Sequence, residues 1–325
     1  MNKFLIITSI NDKEVFNFYQ EKCNENNIDF VIIGDNKTPK LNLKNFISID
    51  QQKKMPFELC KNLPENHYSR KNLGYLHAIK NNADVIIETD DDNYPYDSFF
   101  DERTKILHTN LIENQDWINI YKLYTNDFIW PRGFSLNEIK NDKKINSKYQ
   151  KVICPIQQGL ANLNPDVDAI FRLINKKNIF FSENLTFAIG NDTICPFNSQ
   201  NTTWFKEVFP LMYLPSYCNF RSTDIWRGYI AQIILWNTDY KLLFTGPTLY
   251  QIRNEHNIMK DFNDEFSLYL ETDKVIDILK KLNLKKGNDN IIDNMILCYE
   301  SLIKNEIFPI EEMYLLKLWI KDINV

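Results

Sequence analysis

Apolar positions come in short bursts separated by polar turns in the first ninety residues. Lys3 to Ser9 carries an isoleucine-rich run that predicts a buried strand. Asp12 is placed to cap a helix reaching about Asn26, with Val15, Phe16, Tyr19 and Cys23 on one face. Asp29 to Ile33 predicts a second buried strand, closed by Gly34-Asp35, and Phe46 to Ile49 a third. Ser69 is placed to cap the next helix, where Leu73, Leu76 and Ile79 are spaced for burial. Asp84 to Glu88 is again strand-like, and Thr89-Asp90-Asp91-Asp92-Asn93 follows at its carboxyl end. Strand–helix–strand alternation implies parallel pairing, because parallel neighbours need a crossover.

The pattern is less regular afterwards. Ile118 to Leu123 predicts a strand, Trp130-Pro131-Arg132-Gly133 a turn, and Lys140 to Lys151 an exposed charged loop. Pro165 to Leu173 predicts the start of a helix, and Phe187 to Ile189 a short strand. From Thr223 to Trp236 a helix is predicted, with Ile225, Tyr229, Gln232 and Ile233 on one side. Residues 266–325 predict a mainly helical tail with Val275, Ile278, Leu279 and Leu282 inward and a break at Gly287. The expected fold class is α/β: a Rossmann-like mixed, mainly parallel sheet flanked by helices, with a C-terminal helical appendage. The expected division is a catalytic domain over 1–265 and a helical region over 266–325.

Length and composition narrow the function. With 325 residues, 44% of them apolar, the chain can bury a large core. A net charge of -5 argues against nucleic acid as a partner. The six cysteines form no CxxC pair and predict reduced core thiols in a cytoplasmic protein. No run approaches the ~20 apolar residues of a membrane span, so no integral membrane segment is expected; peripheral association and oligomeric state stay open.

The chemistry concentrates in the acidic triplet. Adjacent carboxylates in a cleft repel by roughly 1–4 kcal/mol. A divalent cation reverses that sign, and Mg²⁺ or Mn²⁺ takes one or two carboxylates together with substrate phosphates. Asp90 and Asp92 alternate to one side of an extended segment. In open α/β sheets ligands collect beyond strand carboxyl ends, where this triplet falls. Arg70, Lys71 and Asn72 open a helix, a position suited to a diphosphate. Asp224, at a helix start, is either a helix cap or a base or acceptor-binding group. Trp130 and Trp226 either offer a ring face to a ligand or lie in the core.

Three stretches together carry a resemblance: Ile33-Gly34-Asp35-Asn36-Lys37-Thr38-Pro39, then His67-Tyr68-Ser69-Arg70-Lys71-Asn72-Leu73-Gly74-Tyr75-Leu76, then Glu88-Thr89-Asp90-Asp91-Asp92-Asn93. In order and spacing the chain resembles the STELLO glycosyltransferases from about residue 3 to about residue 265. It is more distantly similar to the reversibly glycosylated polypeptides, the UDP-arabinopyranose mutases, through the triplet, Arg132-Gly133-Phe134-Ser135-Leu136, Asp166-Val167-Asp168-Ala169 and Pro196-Phe197-Asn198. The resemblance implies a GT-A fold, a nucleoside-diphosphate sugar (a UDP-sugar favoured), and Mn²⁺ or Mg²⁺. It implies Thr8 and Asp35 near the nucleoside and Arg70 and Asn72 near the ribose or diphosphate. Lys37, Lys71, Asp90, Asp91 and Arg253 complete that binding set. Asp92, Asp90 and His256 would hold the metal. By the same resemblance Asp224 would be the catalytic or acceptor carboxylate, and Arg132 matches the arginine that can become glycosylated in the mutases.

The expected function is metal-dependent glycosyl transfer to an unknown acceptor, with surface-polysaccharide synthesis as one setting. Two alternatives accompany it: a nucleotide-sugar mutase with Arg132 as transient carrier, and a non-catalytic scaffold. The plant STELLO proteins have a membrane anchor that this chain is expected to lack.

Overall fold

A computed structural model describes residues 1–141, 143–253 and 257–324. The first part of the chain runs β1 (Lys3–Thr8), α1 (Val15–Glu25), β2 (Ile28–Ile33), β3 (Phe46–Ile47), α2 (Ile49–Gln52), α3 (Lys71–Lys80), β4 (Val85–Thr89) and β5 (Asn93–Pro95). It continues through β6 (Ile106–Ile112), β7 (Asp116–Trp117), β8 (Lys148–Asn162), α4 (Ala169–Ile174), β9 (Thr186–Ile189), β10 (Thr193–Ile194) and β11 (Asn201–Phe205). It ends with α5 (Thr223–Leu235), β12 (Tyr240–Gln251), α6 (Ile258–Asp264), α7 (Phe266–Lys280), α8 (Ile291–Lys304) and α9 (Glu311–Asp322).

A ten-stranded sheet has the order β3-β2-β1-β4-β11-β8-β6-β9-β12-β5. The pairs β2–β3, β1–β2 and β1–β4 are parallel. β1, β2 and β4 are buried on both faces: Leu5, Ile7, Phe30, Ile32, Val85 and Ile87 meet α1, while Phe4, Ile6, Val31, Ile33 and Ile86 face the cluster that includes α3. This alternation explains why the runs read as continuously apolar. Beyond β4, β11 is antiparallel to both β4 and β8. β12 pairs in parallel with β8 and antiparallel with β9, so β6, β8, β9 and β12 close into a ring.

The registers bring several chain ends to one edge. Asn201, opening β11, pairs with Thr89, closing β4; Asn162 at the end of β8 pairs with Tyr250 near the end of β12. The ends of β1, β2, β4, β8 and β12 and the start of β11 therefore line one edge. Between β1 and β4 the winding direction reverses, which creates the crevice where doubly wound sheets bind ligands.

The α/β class and the helical tail agree with expectation; several local elements differ. Residues Ile120–Leu123 form a 3-10 turn rather than a strand. Residues 148–151 leave the predicted loop to begin β8. Asp12 does not cap α1, whose N-cap is Glu14. His67, not Ser69, accepts the capping bond ahead of α3, through Nδ1 from Ser69 N–H. The tail shares one apolar cluster with the sheet: Leu279, Met295, Leu316 and Trp319 lie in it with Ile6 and Ile86.

Candidate donor-sugar cleft

A cleft of about 760 Å³ opens along that edge. β1 and β2 bring Thr8, Ser9, Gly34 and Asp35 to it; β4 brings Asp90, Asp91 and Asp92. The loop after β8 adds Asp166, α4 adds Arg172, the loop before β11 adds Ser199 and Gln200, and the end of β12 adds Gln251 and Arg253.

The triplet spans the crevice between β1 and β4. Asp91 Oδ2 accepts from Ser9 Oγ at 2.5 Å, tying the two strand ends together. Asp90 Oδ1 accepts from Tyr68 OH at 2.7 Å, and that hydroxyl also meets Ser199 Oγ at 2.5 Å. Both Asp92 carboxylate oxygens accept from Gln251 Nε2 at 3.0 Å. Burial raises the Asp90 carboxyl from 3.8 to about 6; Lys71 opposes the rise and the Asp92 charge adds to it. The Asp90 side chain nevertheless keeps 31% of its surface open to the cleft, so a ligand can reach it.

These residues offer oxygen donors only, the set preferred by a hard divalent cation. The mutual repulsion of Asp90 and Asp92 is what such a cation would relieve. Among the described residues no group of three His, Cys, Asp or Glu side chains has metal-holding geometry. Two carboxylates with phosphate and water oxygens completing the sphere fit this arrangement. His256 lies outside the described residues.

Thr8, Asp35, Lys37, Arg70, Asp90, Asp91, Asp92, Arg132, Asp224 and Arg253 all line the cleft. Two expected residues do not. Asn72 is fully buried, and its amide exchanges hydrogen bonds with Leu214 N and O, both at 2.9 Å. Tied to the Leu214 backbone, its side chain does not line the cleft. Lys71 is also fully buried. Its Nζ donates to Tyr68 OH and Thr89 O at 2.8 Å and approaches Asp90 Oδ1 at 3.4 Å. It supports Asp90 from beneath rather than contacting a ligand. Trp130 and Trp226 are core residues, 2% and 1% exposed.

Arg70 donates Nε to Gln52 Oε1 at 2.7 Å and Nη1 to Leu63 O at 3.2 Å, while its buried Nη2 has no partner. At the other end, Arg132 donates to both Asp166 oxygens at 2.7 and 2.9 Å and to Asp224 at 3.0 Å; Nη1 donates to Arg221 O. Burial alone would lower the Arg132 pKa, yet Asp166 and Asp224 hold it well above its ordinary value. Burial alone would raise Asp224, but the Arg132 guanidinium holds it below the usual carboxylate range. Ser199 N–H also donates to it at 3.2 Å. A second buried ion pair, Arg227 Nη2 to Glu88 Oε1 at 2.8 Å, lies behind the triplet, with Trp204 Nε1 donating to the same oxygen at 2.7 Å.

Ser9, Tyr68, Ser199, Gln251, Arg172 and Arg221 were not expected at the site. Tyr68 lies within a quoted stretch and Ser9 ends the first apolar run; Arg172 lies in α4, Gln251 closes β12, and Ser199 and Arg221 sit in loops, with no local signal that marks them for the cleft.

The family model described as "STELLO glycosyltransferases" matches residues 221–325. The probable glycosyltransferase STELLO2 of Arabidopsis thaliana is 29% identical over 274 residues, covering 76% of this chain and 35% of that protein. STELLO1 of the same plant is 28% identical with the same coverage. The chain thus spans about a third of the length of the curated relatives it matches. Among solved structures, glucosyl-3-phosphoglycerate synthase from Mycobacterium tuberculosis superposes with TM-scores of 0.43 (with phosphoglyceric acid) and 0.42 (with Mn²⁺ and UDP-glucose). Identities are 7% and 8%, over 83% of this chain and 78% of that one. With a family model over its C-terminal third and relatives across three quarters of its length, the chain is STELLO-like.

Proposed function

We propose that the chain is a glycosyltransferase that takes a nucleoside-diphosphate sugar, with UDP-sugars favoured, in the cleft along the sheet edge. The observation that carries this is the pairing of Asp90 and Asp92 at the crevice between β1 and β4, where their charges oppose each other. The nucleoside lies over the ends of β1 and β2, against Thr8, Asp35 and Lys37, and the diphosphate lies toward the triplet. Arg70, with one buried N–H unpartnered, donates to the nucleotide.

Mn²⁺ or Mg²⁺ held by Asp90 and Asp92 would offset the negative charge that builds on the leaving diphosphate. Gln251 fixes the Asp92 carboxylate through both oxygens, and Lys71 and Tyr68 fix Asp90, so neither must reorganise on binding. In the transfer, the acceptor hydroxyl oxygen bonds the anomeric carbon and the bond from that carbon to the diphosphate oxygen breaks. The hydroxyl proton passes to solvent or to the released diphosphate. Asp224, kept anionic by Arg132, orients the hydroxyl. With all three nitrogens of Arg132 hydrogen-bonded, that side chain serves as a fixed cation rather than as a sugar carrier.

The test is calorimetric titration of the chain with UDP, GDP and CMP, with and without Mn²⁺. Mn²⁺-dependent binding of one nucleotide is expected, and Asp92→Asn should weaken it by about tenfold or more with little change in melting temperature. Absence of binding by every nucleotide in either condition would sink the reading.

A further inference from the structure

Beyond the triplet, the cleft wall turns cationic: Arg132, Arg172, Arg221, Arg253 and Lys260 all line it. Three of these have carboxylate partners. Arg132 holds Asp166 and Asp224, Arg221 holds Glu265, and Arg253 pairs with Asp261. Arg172 differs. Among the described residues no carboxylate lies within ion-pair distance of it, and its partners are neutral: Pro165 O at 2.9 Å from Nη2 and Asn164 Oδ1 at 3.4 Å from Nη1. Its Nε is buried and makes no hydrogen bond.

A desolvated guanidinium without a counter-ion is costly, as is a buried N–H without an acceptor. Burial, then the like charge of Arg253, push the Arg172 pKa down to about 10; Asp166 and Glu265 oppose the shift from a distance and Arg221 adds to it. Lys260, on the same wall, also has no carboxylate partner among the described residues.

Sheet order separates this group from the donor. Arg172 follows β8, which lies two strands past β4, whereas the nucleoside end lies over β1 and β2 on the opposite side. Two strand spacings amount to roughly 10 Å, the reach of one sugar and its substituent beyond the diphosphate. Resting on the transferase reading above, we propose that the acceptor carries an oxyanion, a phosphate or a carboxylate, and that Arg172 binds it with Lys260 and Arg253 beside it. The bonds to Asn164 and Pro165 hold the guanidinium in place beforehand, which lowers the ordering cost of binding.

The experiment loads the chain with UDP and Mn²⁺, then titrates inorganic phosphate, glucose 6-phosphate, glucuronate and glucose by calorimetry. Phosphate and glucose 6-phosphate, or glucuronate if the group is a carboxylate, should bind without displacing UDP, and glucose should not. Arg172→Gln should weaken that binding about tenfold or more and leave UDP affinity within about twofold. Arg172→Lys, which keeps the charge, should recover part of it. Anion binding equal in wild type and Arg172→Gln, anion binding that expels UDP, or no anion binding overturns the proposal. Arg172-dependent phosphate binding by a chain that binds no nucleotide would overturn the acceptor assignment through failure of the transferase reading itself, so the two failures are distinguishable.

Discussion

A carboxylate's role in this protein depends on which cation stands beside it. Asp90 and Asp224 both line the cleft, yet burial dominates at Asp90 and raises its pKa, while Arg132 dominates at Asp224 and lowers it. Asp168, behind the cleft, follows the first pattern. It caps α4 through Phe171 N–H at 2.8 Å and accepts from Trp130 Nε1 at 2.6 Å, and burial raises it from 3.8 to about 6. Since its folded pKa exceeds its unfolded one, the folded state binds more protons between about pH 4 and 6. Stability from this group is therefore greatest below pH 4 and falls as pH rises to 6. Asp168→Asn, which does not titrate, should gain on the wild type across that window by an amount on the order of 3 kcal/mol at most and run parallel above it. Urea denaturation at several pH values checks this; a gap between the two proteins that does not change with pH would refute it. The triplet itself was legible in the sequence because consecutive charges after an apolar run have few structural explanations. Lys71 and Asn72 were misplaced because a helix start looks the same whether its side chains face ligand or core.

At the scale of elements, the parallel half of the sheet was readable and the other half was not. β1, β2 and β4 are short apolar runs buried on both faces, with polar residues confined to positions near the strand ends, such as Asp29, Glu88 and Thr89. β8 is fifteen residues long and carries Pro155, Gln157, Gln158 and Gly159 within its buried part. Its glutamines are tolerated because distant groups satisfy them: Gln157 donates to Thr104 O at 2.8 Å, and Gln158 accepts from Asn198 N at 2.9 Å. Sequence periodicity cannot anticipate partners supplied from forty or more residues away. The seat of α3 on the sheet is equally tertiary. A Cβ on Gly74 would stand 2.5 Å from Ile6 Cγ2 and 3.0 Å from Ile33 Cγ1. Gly74→Ala gains up to about 1 kcal/mol of helix propensity, but overpacking costs about 1–3 kcal/mol. A net loss of roughly 1–2 kcal/mol is expected, seen as a lower denaturation midpoint with an unchanged slope.

Over the whole molecule, the C-terminal helices help build the cleft from behind. In α9, Glu312 accepts backbone N–H bonds from Ser216 at 2.9 Å and Tyr217 at 2.7 Å, and also receives Tyr213 OH. That anchors the loop that carries Phe220 and Arg221 into the cleft. Asp322, at the other end of α9, accepts from Leu59 N at 2.7 Å and Glu58 N at 3.1 Å. Glu312→Ala leaves several polar groups unpaired and should cost about 2–4 kcal/mol. It should also weaken anion binding at the arginine wall; an equally stable variant with wild-type anion binding would show that the helices act independently of the site.

The sequence alone determined the strand–helix–strand opening, the helical tail and the acidic triplet, because each is a local pattern of side-chain burial or charge. Only the tertiary structure decided that Gln251, Ser9 and Tyr68 hold that triplet, that Lys71 lies beneath it, and that Arg172 has no carboxylate within ion-pair distance among the described residues. Those are relations between strand ends far apart in the chain, set by sheet register and low-dielectric packing, and no local pattern encodes them.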